Sequence, residues 1–350
     1  YSIQVNDTSG NYNRNATETI PVYDNDNPSL IKDDSPNMGT TGDNYVFDVN
    51  VTDNIGVASV NVTWSHGGLG GNIALNDDGD GTWSLTITLD HSLSNLTYSI
   101  QVNDTSGNYT RNATETIPVY DNDNPALDND NSPNTGTTGD NFLFDITVSD
   151  NIAVASVNVT WSHSGLSGNV ALNDDGDGTW SLTITLDHSL SNLTYSIQVN
   201  DTSGNFTRNA TETIQLSDND SPSLDSDDSP NSGTTGDSYV FDVNATDNIG
   251  VASVNVTWSH GGLSGNVAMN NDGDGTWSLT ITLDHSLSNL TYSIQVNDTS
   301  GNYTRNATET IPVYDNDNPS LAKDDSPNMG TTGDSYVFDV NATDNIGVAS

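Results

Sequence analysis

The chain repeats itself over long intervals, and that constrains the fold more than any other feature. The string Tyr-Ser-Ile-Gln-Val-Asn-Asp-Thr-Ser-Gly-Asn starts at Tyr1, Tyr98, Tyr195 and Tyr292, each 97 residues after the last. Solenoid repeats run to roughly 20 to 50 residues, so a unit this long matches a whole small domain able to bury its own core. Acidic, proline-marked linkers punctuate the period at Asp24 to Pro28, Asp121 to Pro125, Asp218 to Pro222 and Asp315 to Pro319. Complete domains are therefore expected at 28–121, 125–218 and 222–315, with partial domains at 1–24 and 319–350. Tyr1 falls in mid-strand by the repeat's own pattern, so the sequence reads as a window on a longer polypeptide.

Within a repeat the apolar period is two, the mark of half-buried strands. Tyr45, Phe47, Val49 and Val51 alternate with Val46, Asp48, Asn50 and Thr52, and Val60, Val62 and Trp64 alternate with Asn61 and Thr63. The same parity joins Trp83, Leu85, Ile87 and Leu89, and then Leu96, Tyr98, Ile100 and Val102. Short strands after Pro28, around Ile73 to Leu75 and at Ile117 to Tyr120 bring the number to about seven. Seven short strands with turn residues between them and no helical stretch predict an all-β chain of tandem immunoglobulin-like β-sandwich domains.

The runs Thr52 to Val60, Asp80-Gly81-Thr82-Trp83 and Tyr98 to Val102 followed by Asp104-Thr105-Ser106-Gly107-Asn108 resemble the tandem immunoglobulin-like repeats of prokaryotic cell-surface proteins and adhesins. The linker Asp24 to Pro28 is similar to the calcium-binding linker of cadherins. One feature departs from cadherins: the only Glu of each repeat (Glu18, Glu115, Glu212, Glu309) sits in the last strand, away from the linker.

Charge narrows the function. Against 48 acids stand 6 Lys and Arg, a formal charge of −42. Six scattered bases cannot neutralise a phosphate backbone, which excludes a nucleic-acid partner, and an anionic bilayer repels such a chain. There is no Cys, and no apolar run approaches the ~18 residues of a membrane span. Forty-four of the acids are Asp, and nearly all fall in turns rather than on strand faces. Turn aspartates suit cation ligation better than general solubility.

In a seven-stranded antiparallel domain the second, fourth and sixth connections share the end at which the chain arrives. That end gathers Asp24 and Asp26 from the linker, Asp53, Asp77, Asp78 and Asp80 from two turns, and Asp104 from a third. The opposite end carries only Asp43 and Asp90. Carboxylates about 4 Å apart repel by roughly 1 kcal/mol in water and about 4 kcal/mol at a protein-surface dielectric. With about one Arg per repeat the chain cannot cancel this. Ca²⁺ can, since it takes six to eight oxygen ligands in flexible geometry; Mg²⁺ demands a stricter octahedron, and soft metals lack a thiolate. The expected calcium ligands are Asp24, Asp26, Asp53 and Asp104 at the first junction, with oxygens or turn geometry from Asn54 or Asn108. Asp121, Asp123, Asp150 and Asp201 follow at the second, and Asp218, Asp220, Asp247 and Asp298 at the third.

The hairpin Asn76 to Gly81 begins like a calcium loop but has Ile87 where a bidentate Glu belongs, so it reads as an ordinary tight turn. Trp64 and Trp83 share parity with the aliphatic faces and read as core rather than sugar platforms. His66 and His91, in turns at the acid-poor end, read as solvated. No Ser, His and Asp set marks a catalytic triad, so no enzyme is expected. Sequons at Asn50, Asn61, Asn95, Asn108 and Asn112 allow glycosylation. The expected role is a non-enzymatic extracellular stalk or adhesin segment at the cell surface. Its calcium-loaded junctions would hold a distal domain away from the cell, and regions outside this window would bind a surface ligand. The alternatives are a carbohydrate- or protein-binding adhesion module and a non-catalytic appendage of a secreted hydrolase.

Overall fold

The computed structural model describes residues 1–349, and every regular element in it is a strand. The first complete repeat shows the plan. Its strands are β1 (Ser29–Asp33), β2 (Gly39–Thr40), β3 (Asn44–Thr52), β4 (Val57–His66), β5 (Leu69–Ala74), β6 (Asn76–Asp77), β7 (Thr82–Thr88), β8 (Leu96–Asp104), β9 (Tyr109–Arg111), β10 (Glu115–Ile117) and β11 (Val119–Tyr120). One sheet has the order β1-β3-β7-β6; the other has β9-β8-β4-β5, with β10 also on β8. Strand β11 pairs in parallel with β2, Val119 opposite Gly39. Two facing antiparallel sheets, with a final strand that runs parallel beside an early one, define an immunoglobulin-like sandwich. The third complete repeat has the same sheets; in the second the last strand is continuous over Glu212–Ser217 and carries the parallel pair with Thr135–Thr137 into one six-stranded sheet, and the all-β expectation holds in each.

Alternation sets the register. Phe47 lies opposite Leu85 and Val49 opposite Trp83 in one sheet, while Ile100 lies opposite Val62 and Tyr98 opposite Trp64 in the other. A one-residue slip would turn every one of these side chains to solvent. The inward faces meet in a core centred on Phe47, Val49, Val60, Val62, Leu96 and Ile100, with Trp64 and Trp83 packed against it. The tryptophans are thus core residues, as their parity implied. Phe47 stands edge-on to Tyr45 and Tyr98 at centroid separations of 5.2 and 5.0 Å, a favoured aromatic geometry. The Tyr98 hydroxyl donates to Asp33 Oδ2 at 2.9 Å and fastens β8 to β1 across the sandwich. Separate cores of the same make-up form around Phe144 and Phe241.

One histidine reading changes and the other holds. His66 is buried, with Nε2 3.1 Å from the Asp90 carbonyl, because it continues the inward parity of Val60, Val62 and Trp64 to the end of β4. His91 is exposed, as expected, and lies over Gly42, where φ is +70° and a Cβ would come within 2.5 Å of the imidazole.

Candidate metal centre

Three loops build the candidate site, and each holds its aspartate by its own backbone. Asp104 ends β8 on the inward face, in line with Val102, where a shift in register between Asn103 and Asp104 breaks the pairing with β4. It is 3% exposed. Its Oδ1 accepts the backbone N–H of Ser106, Gly107 and Asn108 at 2.8, 2.6 and 2.8 Å, and its Oδ2 accepts Asn108 Nδ2 at 2.7 Å. The turn closes only because Gly107 takes φ +101°. Burial pushes the Asp104 carboxyl up, but these donors outweigh it and hold the carboxyl below its ordinary range.

Between β3 and β4, Asp53 Oδ2 accepts the N–H groups of Ile55 and Gly56, both at 2.8 Å. That Asx-turn leaves Oδ1 free to face the cluster. From the linker, Asp24 Oδ1 accepts the N–H of Asp26 at 3.1 Å and leaves Oδ2 free. Carboxylate oxygens of Asp24, Asp53 and Asp104 lie within 4.8 Å of one another. Asp121, Asp150 and Asp201 repeat the arrangement, as do Asp218, Asp247 and Asp298.

Asp24 Oδ2, Asp53 Oδ1, Asp121 Oδ2, Asp150 Oδ1, Asp218 Oδ2 and Asp247 Oδ1 are buried and have no hydrogen-bond partner. Asp218 as a whole residue is only 8% exposed. An unpaired buried polar atom costs about 1–3 kcal/mol, and more when charged. Among the described residues the Lys and Arg ion pairs are Lys32 with Asp34 and Lys323 with Asp325, so no base neutralises any of the three groups. Buried, unpaired carboxylate oxygens from separate elements turned toward one point fit a hard divalent cation.

Asp26, Asp123 and Asp220 stand outside these groups of three. Each instead accepts the side-chain amide of an asparagine that follows the β3–β4 aspartate: Asn54 at 3.0 Å, Asn151 at 2.7 Å and Asn248 at 2.5 Å. Asp77 and Asp80 cap their own hairpin, accepting the N–H of Gly79 and of Thr82, and are exposed, so the ordinary-turn reading of that hairpin holds.

The second junction contains residues that the linear pattern did not single out. Asp121 Oδ1 accepts Thr41 Oγ1 of the preceding repeat at 3.1 Å and Asn151 Nδ2 of the following one at 3.2 Å. Burial raises the Asp121 carboxyl, yet Asn151, Ser203, the Asp123 backbone and Thr41 together lower it. Asn151 Nδ2 also lies 3.2 Å from His91 Nδ1, and the contact recurs between Asn248 and His188 at 3.0 Å. Asn205 Nδ2 reaches the Asp121 carbonyl at 3.3 Å. Ile152 and Ile249, each after a complete repeat, are half-buried, whereas Ile55, after the stretch 1–24, is 68% exposed. A signal for Thr41 and His91 was present: in a tandem chain the acid-poor end of one domain faces the acid-rich end of the next.

No protein-family model matches the chain. No curated protein matches it either. Among solved structures, a three-domain fragment of titin, I67-I69, is similar at 11% identity and TM-score 0.43, covering 82% of this chain and 98% of that one. A tetra-tandem repeat from the extending region of a large adhesion protein is similar at 22% identity and TM-score 0.35, covering 89% and 80%. A structure from a 1.5-MDa bacterial ice-binding adhesin is similar at 16% identity and TM-score 0.28, covering 79% and 94%. The immunoglobulin-like class assigned above stands on strand order and pairing.

Proposed function

We propose that the chain is a non-enzymatic segment of an extracellular stalk or adhesin, in which one calcium ion at each junction stiffens a row of independently folding domains, 28–121, 125–218 and 222–315. The observation that supports it is the set of buried, unpartnered carboxylate oxygens at each junction. Asp24, Asp53 and Asp104 would hold the first ion, Asp121, Asp150 and Asp201 the second, and Asp218, Asp247 and Asp298 the third. Asp26, Asp123 and Asp220 position the neighbouring asparagines. The ion supplies positive charge where the chain has none.

Stiffening follows from Asp121. One of its oxygens faces the ion site of the following repeat while the other accepts from Thr41 of the preceding repeat, a residue only 1% exposed. An ion that fixes the Asp121 carboxylate thereby fixes the contact with both neighbours. Asp218 does the same with Thr138 at 3.2 Å. A spacer of this kind needs number more than diversity, which the near-identical repeats provide. The ligand it presents would be bound by regions beyond this segment, at the cell surface.

Calcium titrated into the full chain should raise its melting temperature and lengthen it by small-angle X-ray scattering, with both changes reversed by chelator. Indifference to calcium and to chelator would refute the proposal and leave the charge with a role in solubility only.

A further inference from the structure

Each complete repeat carries several Asn-x-Ser/Thr sequons, and their surroundings differ sharply. From this contrast we infer that Asn95, Asn192 and Asn289 are the N-glycan attachment points of the three complete repeats. The inference does not rest on ion binding.

In the first complete repeat the sequon asparagines are Asn50, Asn61, Asn95, Asn103, Asn108 and Asn112. Five are half-buried and on strands or tied into loops. Asn50 is in mid-strand in β3 and Asn61 in β4, where a glycan would lie across neighbouring strands. Asn103 Nδ2 donates to Ser59 Oγ at 3.1 Å, and Asn112 Oδ1 accepts the Ile100 N–H at 2.7 Å. Asn108 spends its amide on Asp104 Oδ2 at 2.7 Å, inside the carboxylate cluster. On Asn103 or Asn108 a sugar would replace a hydrogen the fold uses, on Asn50 or Asn61 it would force strands apart, and Asn112 is half-buried with its amide held to the β8 backbone through its oxygen.

Asn95 alone of the six is exposed, and its counterparts Asn192 and Asn289 are exposed in the same way. Each lies in the turn just before a strand, between an exposed Ser and a fully buried Leu (Leu96, Leu193, Leu290), so its side chain projects outward from a firmly anchored base. Among the described residues the three amides make no side-chain hydrogen bond. The hydroxyl two residues on, at Thr97, has the Ser65 carbonyl as its partner at a long 3.4 Å, and Thr194 and Thr291 repeat this at 3.4 and 3.5 Å.

The chemistry is an amide glycosylation by a polyprenyl-diphosphate-linked oligosaccharide. Asn95 Nδ2 forms a bond to the anomeric carbon, the bond from that carbon to the diphosphate oxygen breaks, the diphosphate leaves with the electron pair, and the amide loses one proton. The result is one glycan per domain, repeated every 97 residues at the same turn. Hydrated collars at that spacing would shield a chain of charge −42.

The test uses the full chain isolated from its own cells. A protease that cuts before Asp releases the identical peptides Asp90 to Asn103, Asp187 to Asn200 and Asp284 to Asn297. Mass spectrometry with electron-transfer fragmentation, which spares the glycosidic bond, should find the sugar on the asparagine before Leu-Thr in these peptides and nowhere else in the three repeats. The N95Q/N192Q/N289Q chain made in the same cells should lose the whole mass increment and keep its melting temperature within a few degrees. Bare peptides, or sugar on the Asn61, Asn103, Asn108 or Asn112 positions, would overturn the inference.

Discussion

Replacing Asp53, Asp150 and Asp247 by Asn should change the sign of its effect with calcium. In each loop one carboxylate oxygen accepts two backbone N–H bonds of 2.7 to 2.9 Å, and an asparagine carbonyl can keep both. What changes is the other oxygen, buried and unpartnered, which becomes an uncharged N–H₂ directed at two carboxylates. At the 4.8 Å limit of each group, one pair of charges repels by about 0.9 kcal/mol in bulk water and about 3.5 kcal/mol at an effective dielectric of 20. The substitution removes two of the three pairs. Because each charge is shared with a second, hydrogen-bonded oxygen, the relief should come to about 1–3 kcal/mol per domain. At roughly 4–8 °C per kcal/mol for a domain of this size, the D53N/D150N/D247N chain in chelator should melt several degrees to about 20 °C above the wild type. In calcium the order should invert. A ligand at a hundred times its Kd adds about 2.7 kcal/mol to the wild type, and the variant, short of one anionic ligand at every junction, forgoes most of it. Differential scanning calorimetry of both chains, with and without calcium, reads all four values. The same rank order in both conditions would sink the reasoning, because it would mean that these carboxylates neither repel measurably nor share an ion.

Substituting Thr41, Thr138 and Thr235 by Val removes the hydroxyls that tie Asp121, Asp218 and Asp315 to the preceding repeat. Calcium should then still raise the melting temperature while scattering shows a shorter, more flexible chain; an unchanged scattering profile would break the link between ion and stiffness. Phe144→Ala empties the centre of a core where Phe144 is fully buried, and should cost its domain about 3–5 kcal/mol, read as a separate early transition by calorimetry. Acid should weaken the fold through Asp104, Asp121 and Asp298, whose carboxyls are held below their ordinary range. Their contribution is complete above the unfolded value of about 3.9 and disappears as pH falls through the lower folded values. Alkali acts on the other side: burial pushes Tyr45 up to about 12 and raises Tyr98 as well, so stability held below pH 10 should be lost as pH rises past it. Circular dichroism melts across pH 2 to 12 check both limbs, and a flat profile at either end would contradict that limb.

Much of the architecture is legible in the residues. The recurrence of Tyr1, Tyr98, Tyr195 and Tyr292 marks the units, and alternation assigns Phe47, Val62 and Ile100 to the core, because successive side chains on a strand point to opposite faces whatever the strand pairs with. The same parity, continued from Val102, reaches Asp104, and the counting of connections brings Asp24 and Asp53 to its end of the sandwich. His66 is legible too, as the next inward position after Trp64 on a strand that runs to His66 itself. Other features needed the folded chain. Asp26 differs from Asp24 by two linker positions, yet only Asp24 faces the loop aspartates while Asp26 accepts from Asn54. Asp77, Asp78 and Asp80 share the acidic end but stay with their own hairpin. The meeting of Thr41 and His91 with Asp121 and Asn151 depends on how one domain is turned against the next. Alternation is a local property of the backbone, whereas the direction of a linker carboxylate and the rotation between two domains depend on a few loop dihedrals and on contacts between residues as far apart as Thr41 and Asn151, and no short stretch of sequence encodes either.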